Sequence, residues 1–287
     1  MKYHQKKTII LQILDKLPNK LGYSIYHSLQ KKSFNEIDTK VNSNFQSLKK
    51  IESILNESNI ELKNQKIIEI GSGWVPIMPI LIKLKFMVSK IITYDINKHY
   101  SNKRIKLTLK HFKKTNFKTR KYSNLNLPNF IDYHPEKNII NVSIEKDIKL
   151  IYSRFVLEHV TPIDIENMHK KFYKELNNDI KILHLISPSD HRAYSDKTLS
   201  LYDFLKYSKK EWNRIQTKFD YHNRLRLPEY IAIFENSGFK ITHIEYDTVD
   251  KNSDKYIKYK ELKLHPDYHK FSEREILAGS ICVLLEK

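Results

Sequence analysis

Cysteine occurs once in the 287 residues, at Cys282. That excludes an intrachain disulfide framework and any multi-cysteine zinc site. Glycine is scarce too: ordinary usage would supply roughly twenty. The chain has five, Gly22, Gly71, Gly73, Gly238 and Gly279. No uncharged apolar run approaches the ~18 residues of a membrane span; the greasiest stretch, 75–92, is broken by Lys83, Lys85 and Lys90. Residues 1–7 are basic, but the apolar patch behind them ends at Asp15, short for a secretory signal. The expectation is a reduced, cytoplasmic protein. With 40% hydrophobic and 29% charged residues, the composition is that of a folded chain and excludes disorder. No internal repeat or low-complexity linker interrupts it.

Arginine is the third scarcity. Of 51 basic residues eight are arginine, against 33 acidic residues and a net charge of +18. Arginine is the side chain suited to bidentate phosphate contacts. An excess carried by lysine, beside abundant Asn and Ile, reads as codon drift in an AT-rich genome, and nucleic acid is not an expected partner. The excess is also uneven, since 96–121 holds ten Lys or Arg and no acid. Ile105, Leu109 and Phe112 fall there at helical spacing, which predicts an amphipathic helix with a solvated basic face. An anion- or membrane-facing patch is the competing reading.

Two of the five glycines stand two residues apart, in Lys66-Ile-Ile-Glu-Ile-Gly-Ser-Gly-Trp-Val-Pro76. A β-branched run, a glycine turn and the apolar residues 77–86 read as strand, tight turn, helix. The glycines permit unusual backbone angles and close approach of a ligand, and the helix start offers free N–H groups. The next strand, from Lys90, ends at Asp95, 22 residues after Gly73. An acid at that tip is placed to accept hydrogen bonds from a ribose diol. A dinucleotide site would want a third glycine where Pro76 stands.

Glu69-x-Gly71-x-Gly73 followed by Asp95 resembles motif I and the ribose-binding acid of class I S-adenosylmethionine-dependent methyltransferases; Val75 departs from the family's frequent third glycine. Ile148 to Ser153, followed by Arg154-Phe-Val-Leu-Glu-His-Val160, is similar to the segment that starts a helix beside the active site of small-molecule members. The resemblance implies S-adenosyl-L-methionine as cofactor, with Glu69, Gly71, Ser72, Gly73, Trp74, Asp95, Ile96, Ser153 and Glu158 around it. It also implies an α/β fold: a Rossmann-like, doubly wound, seven-stranded, mostly parallel sheet with an antiparallel last strand. Strand candidates at 130–133, 181–186, 239–246 and 276–285 complete the seven, and a helix is expected over 228–236. The organisation expected is an N-terminal helical extension or cap over 1–60 and a methyltransferase domain over 61–287, with a helical, substrate-side insertion over 188–227. The stretches 69–76, 94–99, 204–208, 211–214 and 221–226 are further similar to a branch found among polysaccharide-biosynthesis gene products, over roughly residues 10–246. The implied reaction is methyl transfer to a small-molecule or saccharide acceptor at oxygen.

A hydroxyl acceptor needs near-attack geometry and a group to take its proton. The insertion holds Asp190, His191, Tyr221 and His222 with four of the eight arginines, Arg192, Arg214, Arg224 and Arg226. His191, His222 and His159 are the catalytic candidates; Asp190, Tyr221, Arg224 and Arg226 are the acceptor-binding candidates, the two arginines as a clamp on an acidic group. Plainer readings stand beside these. His191 suits a turn, Asp190 a helix cap, His222 a hydrogen-bonded core, His159 a helix start, and Trp74 and Tyr94 simple packing. No His-Glu-x-x-His spacing occurs, and no metal ligand is assigned.

Ile9, Ile10, Ile13, Leu14 and Leu17 form an apolar helical face, with Lys6, Lys7, Lys16 and Lys20 around it, before Pro18 and Gly22 break the run. Capping of the cofactor or packing on a partner subunit is one reading of it. Peripheral contact with the inner membrane face, towards a lipid-linked glycan, is another. Two other function classes compete with the leading one. An RNA or DNA methyltransferase would use the basic 96–121 helix, but no Asn/Asp-Pro-Pro-Tyr/Phe motif is present. The other is a non-catalytic cofactor-binding protein.

Overall fold

The computed structural model describes residues 3–31, 37–112, 117–122 and 124–287. Its strands are β1 (Lys66–Ile70), β2 (Lys90–Asp95), β3 (Thr119–Tyr122), β4 (Leu125–Pro128), β5 (Ile131–Pro135), β6 (Ile148–Arg154), β7 (Lys181–Ile186), β8 (Lys240–Asp247) and β9 (Gly279–Glu286). The helices are α1 (Tyr3–Asp15), α2 (Asn19–Lys31), α3 (Ile37–Glu57), α4 (Ile77–Phe86), α5 (Asn102–His111), α6 (Pro162–Glu175), α7 (Arg192–Ser195), α8 (Lys209–Ile215), α9 (Leu227–Asn236), α10 (Asp254–Lys260) and α11 (Glu273–Leu277).

Seven strands form one sheet in the order β5-β2-β1-β6-β7-β9-β8. Neighbours from β5 to β7 pair in parallel, and β9 runs antiparallel to both β7 and β8. This is the doubly wound, mostly parallel sheet with an antiparallel last strand that the sequence predicts. Strand order reverses at β1, and such a point opens a crevice at the carboxyl edge.

Alternation across each strand explains the layers. Ile67, Ile91, Leu150 and Leu183 face Leu48, Ile51 and Ile54 of α3 and Ile77, Ile80 and Leu81 of α4. Ile68, Ile92, Ile151 and Ile182 face the opposite layer, Ile165, Met168 and Phe172 of α6 with Tyr230 and Phe234 of α9. Burial on both faces is why these strands read as continuous apolar runs.

Four expectations need correcting. In the basic segment 96–121 only α5 is helical; 113–116 lie outside the described residues, and 119–122 is strand β3, paired antiparallel with β4. Leu125 and Leu127 of β4 are buried with exposed Asn126 between them, a period-2 pattern that overrides the helical one. Arg104, expected on a solvated face, is 7% exposed. Gly22 does not break a helix but lies inside α2, where a Cβ would stand 2.8 Å from the Leu14 carbonyl oxygen. The last strand starts at Gly279 rather than Ile276, because Ser272 and Glu275 form a capping box that makes Glu273–Leu277 helical.

The core also runs across a boundary at residue 60, since α3 is built into it. By contrast α1 and α2 pack on the 188–227 insertion. Leu11 and Leu14 bury against Phe219. His4 Nδ1 lies 2.7 Å from Asp196 Oδ2, and Lys218 Nζ donates to the Asp15 carbonyl at 3.0 Å. Ile9, Ile10 and Ile13 stay exposed. No described helix is long and apolar enough to cross a membrane.

One buried polar chain joins β6, β7 and α6. His169 Nδ1 lies 2.7 Å from the Ile165 carbonyl, so Nδ1 carries the proton and Nε2 accepts. His184 Nε2–H then donates to it at 3.0 Å, and the Ser153 hydroxyl donates to His184 Nδ1 at 2.7 Å. Burial lowers both histidines, His169 to about 4, and keeps them neutral. Their unfolded counterparts take up protons below about pH 6.5, so this contribution is present near neutrality and is lost as pH falls from there towards 4. The triple variant Ser153→Ala, His184→Leu, His169→Leu removes every partner together. In urea unfolding between pH 7 and 5 it should lose stability less steeply than wild type, by at most about 2.7 kcal/mol per pH unit for two protons; an unchanged slope would show that the rings titrate normally.

Candidate active site

β1 ends at Ile70, and the chain turns through Gly71 and Gly73, at φ 80° and 59°. The two glycines answer different constraints. At Gly71 a Cβ would stand 2.4 Å from Cγ2 of Val156, so the space beneath the turn holds protein. At Gly73 a Cβ would meet no atom of the described residues within 4 Å. The turn is pinned to β2 by the Gly71 N–H, which donates to the Tyr94 carbonyl at 2.8 Å.

Asp95 closes β2 at 8% exposure. Its Oδ1 accepts from the Asn97 N–H at 2.8 Å and its Oδ2 from the Ser72 hydroxyl at 3.0 Å. Burial raises its pKa, and these hydrogen bonds pull it partly back. Ile96, next along, is held out at 69% exposure. The Trp74 ring lies 4.4 Å from the His99 ring, and the Arg104 guanidinium carbon lies 4.4 Å from the Trp74 ring centre. Glu69 is beneath all of these: its carboxylate accepts from Thr93 Oγ1 at 2.7 Å and the Tyr152 hydroxyl at 2.8 Å, joining β1 to both neighbours. Burial pushes it up to about 7. Thus Gly71, Ser72, Gly73, Trp74, Asp95 and Ile96 share one sheet edge with Glu69 below. Ser153 departs from the expected cofactor set, because its hydroxyl is turned into the α6 layer and spent on His184.

A second group assembles from three segments. After β6, Phe155 takes φ 55°, and its N–H donates to the Leu185 carbonyl at 2.7 Å. That bend puts Val156 under Gly71 and leads into the single turn Leu157–His159. His191 follows β7 at the start of α7, and His222 lies in the loop between α8 and α9. The His159 and His191 ring centres are 4.9 Å apart, His159 and His222 5.3 Å, and His191 and His222 4.7 Å. All three catalytic candidates therefore meet. His159 Nδ1 lies 2.8 Å from the Tyr221 carbonyl, which fixes the proton there and leaves Nε2 as acceptor. His159 itself is solvent-exposed.

Desolvation lowers all three imidazoles, His191 to about 3, and keeps them neutral. Glu158 lies among them fully buried, pushed up to about 8 by burial. The main-chain N–H groups of Glu158 and Ser187 lower it in part, but neither oxygen has a partner of hydrogen-bonding geometry among the described residues. The same holds for His191 Nε2 and both His222 nitrogens.

The insertion's charges have other work. Asp190 is 1% exposed and gripped by Arg192, with Nη2 to Oδ2 at 2.7 Å and Nε to both oxygens at 3.0 and 3.1 Å. Arg226 donates to the Pro188 carbonyl at 2.7 Å and the Arg224 carbonyl at 3.1 Å; Arg224 donates to the Phe204 and Tyr207 carbonyls at 2.9 and 2.7 Å. Both guanidinium groups are buried in the frame of the insertion, which corrects the expected clamp. Asn223 escaped notice in the sequence, though it stands beside His222. Its Nδ2 donates to the Leu157 and Val160 carbonyls at 2.7 and 2.9 Å, and its N–H to the Glu158 carbonyl at 2.9 Å. It fastens the Glu158–His159 turn to the insertion.

A hollow of about 560 Å³ adjoins the group, lined by Ser187, Ser189, Tyr194, Asp247, Asp250 and Ser253 among others. The Tyr194 ring stacks 5.0 Å from His191. Neither this hollow nor a second one, about 450 Å³ between α9 and α11, is lined by any of the predicted site residues.

No family model matches the sequence, and no curated protein is similar to it. Solved structures are similar in fold. A candidate sarcosine dimethylglycine methyltransferase from Galdieria sulphuraria aligns with a TM-score of 0.50 at 14% identity, over 85% of this chain and 86% of that one. Phosphoethanolamine N-methyltransferase 2 of Haemonchus contortus, in complex with S-adenosyl-L-methionine, gives 0.49 at 14% identity over 86% and 52%. A candidate O-methyltransferase from Nostoc punctiforme gives 0.44 at 11% identity over 83% and 54%. The chain spans about half the length of the latter two. Strand order and the first likeness together show a Rossmann-like methyltransferase fold.

The two glycines separate in a stability measurement. Gly73→Ala carries only left-handed strain of about 1–2 kcal/mol, whereas Gly71→Ala adds the Val156 overlap and should lose about 1–3 kcal/mol more. Equal losses in urea unfolding would mean that Val156 does not support the turn.

Proposed function

We propose that this chain is an S-adenosylmethionine-dependent methyltransferase acting on a hydroxyl of a small-molecule or saccharide acceptor. The carrying observation is the free space at Gly73, among the described residues, on the same sheet edge as Asp95 and exposed Ile96 where strand order reverses. A carboxylate there suits a ribose diol, the exposed isoleucine a flat apolar base, and a glycine without neighbours the close approach of a ligand to the main chain. Bound there, S-adenosylmethionine supplies a methyl carbon on a positively charged sulfur, which leaves as a neutral thioether.

The rest falls to the chain's own groups. Glu158 and the three histidines follow β6 and β7 on the same carboxyl edge, where an acceptor would meet the methyl group. Neutral imidazoles with unpartnered nitrogens are in the right state to receive the hydroxyl proton as the acceptor oxygen attacks. The adjoining hollow offers hydroxyls and carboxylates, partners for a polyol, and the motif resemblance to the polysaccharide branch agrees with that. Nucleic-acid methylation has less support, because the basic helix is only ten residues long and Arg104 is buried over Trp74.

Calorimetric titration of the full chain with S-adenosylmethionine and S-adenosylhomocysteine, with NAD and NADP as controls, tests the reading. Micromolar binding of the sulfur pair alone is expected; no binding by a folded sample overturns it. Asp95→Ala should weaken binding by about 1.5–3 kcal/mol, or 10- to 150-fold, for a lost charge-assisted hydrogen bond.

A further inference from the structure

We propose that Glu158, His159 and His191 hold a divalent first-row transition-metal ion. One oxygen of Glu158 and one nitrogen of each histidine lie within 4.8 Å of one another. A tetrahedral set of bonds near 2.1 Å places its donors about 3.4 Å apart, so small rotations of the three side chains would close the set. A second, independent observation points the same way. Glu158 is fully buried, and beyond the pull of the nearby Glu158 and Ser187 main-chain N–H groups neither of its oxygens has a partner of hydrogen-bonding geometry among the described residues, nor has Nε2 of His191. Buried polar atoms are nearly always satisfied, and an unpaired buried carboxylate is costly. A cation bound between these groups satisfies the carboxylate and both imidazoles together.

The surroundings are those of a ligand set. The Tyr221 carbonyl fixes the proton of His159 on Nδ1 and turns Nε2 outward, as the outer hydrogen bond of a metal-bound histidine does. Asn223 fixes the turn that carries Glu158 and His159. Two imidazoles and one carboxylate select zinc, cobalt, iron or manganese over magnesium and calcium, and three protein ligands leave a position open for water or an acceptor oxygen. His222 lies outside the set, its ring 4.7 Å from that of His191, and neither of its nitrogens has a hydrogen-bond partner among the described residues. It is the group left to take a proton from whatever the ion binds. The ion site stands on its own geometry; its part in methyl transfer rests on the reading above.

Cobalt(II) titration of the chelator-stripped full chain, followed by visible absorption, tests the site. One equivalent should bind with the intense bands of a low-coordinate ion, zinc should displace it, and millimolar magnesium should not. His191→Asn and Glu158→Gln should each weaken binding at least about 10-fold. His265→Asn, at a histidine outside the set, should not, and His222→Ala should keep the bands. Should Glu158→Gln fail to fold, the partly exposed His191→Asn and the rise in wild-type melting temperature with zinc remain as readouts. Absence of the bands, bands that survive His191→Asn, or displacement by magnesium would overturn the proposal. Cofactor titration of the stripped protein is read separately, so failure of the ion site is distinguishable from failure of the methyltransferase reading.

Discussion

Val156 sits where a side chain of the glycine turn would otherwise go, and the arrangement of the site follows from that contact. The chain leaving β6 must bend sharply to deliver it, which puts Phe155 in the left-handed region. A non-glycine residue held there stores strain, and it persists because neighbours over-determine it. Here the Leu185 carbonyl holds the Phe155 N–H, while Gly71, free of a Cβ, accepts the valine. The turn after β1 and the turn after β6 are thereby packed as one unit.

The electrostatics of the second turn are unusual in how they are left open. Positive charge is abundant nearby, yet it is committed elsewhere. Arg192 is spent on Asp190, and Arg224 and Arg226 on main-chain carbonyls. Those bonds give the insertion its shape, and among the described residues Arg154 is the arginine whose charge acts on Glu158, without forming a salt bridge to it. Arginine suits this frame-building because its planar fork reaches several carbonyls at once and remains charged when buried.

The peripheral elements are fastened to the same region. Tyr202, Phe204 and Trp212 of the insertion pack with Tyr259, Tyr268 and Ile276 of the segment between β8 and β9. The helices α1 and α2 lie on the insertion through Phe219. The roof over the histidines is thus built from three stretches of chain distant in sequence, and Asn223 bolts it to the floor.

The sheet was legible in the sequence because its strands are buried on both faces and read as plain apolar runs, and the glycine turn was legible because glycine is otherwise so rare. Asp95 followed from its distance to that turn. The β3–β4 hairpin was hidden, since its signal is two buried leucines beside a dense run of lysines. Composition could show that arginines gather in the insertion, but not where they point, because the carbonyls at 188, 204 and 207 reach them only in the fold. The sequence likewise determined that three histidines and a glutamate follow the right strands. Only the tertiary structure decided that they meet, because side chains some thirty residues apart become neighbours only through the pairing of β6 with β7 and the return of the insertion over both.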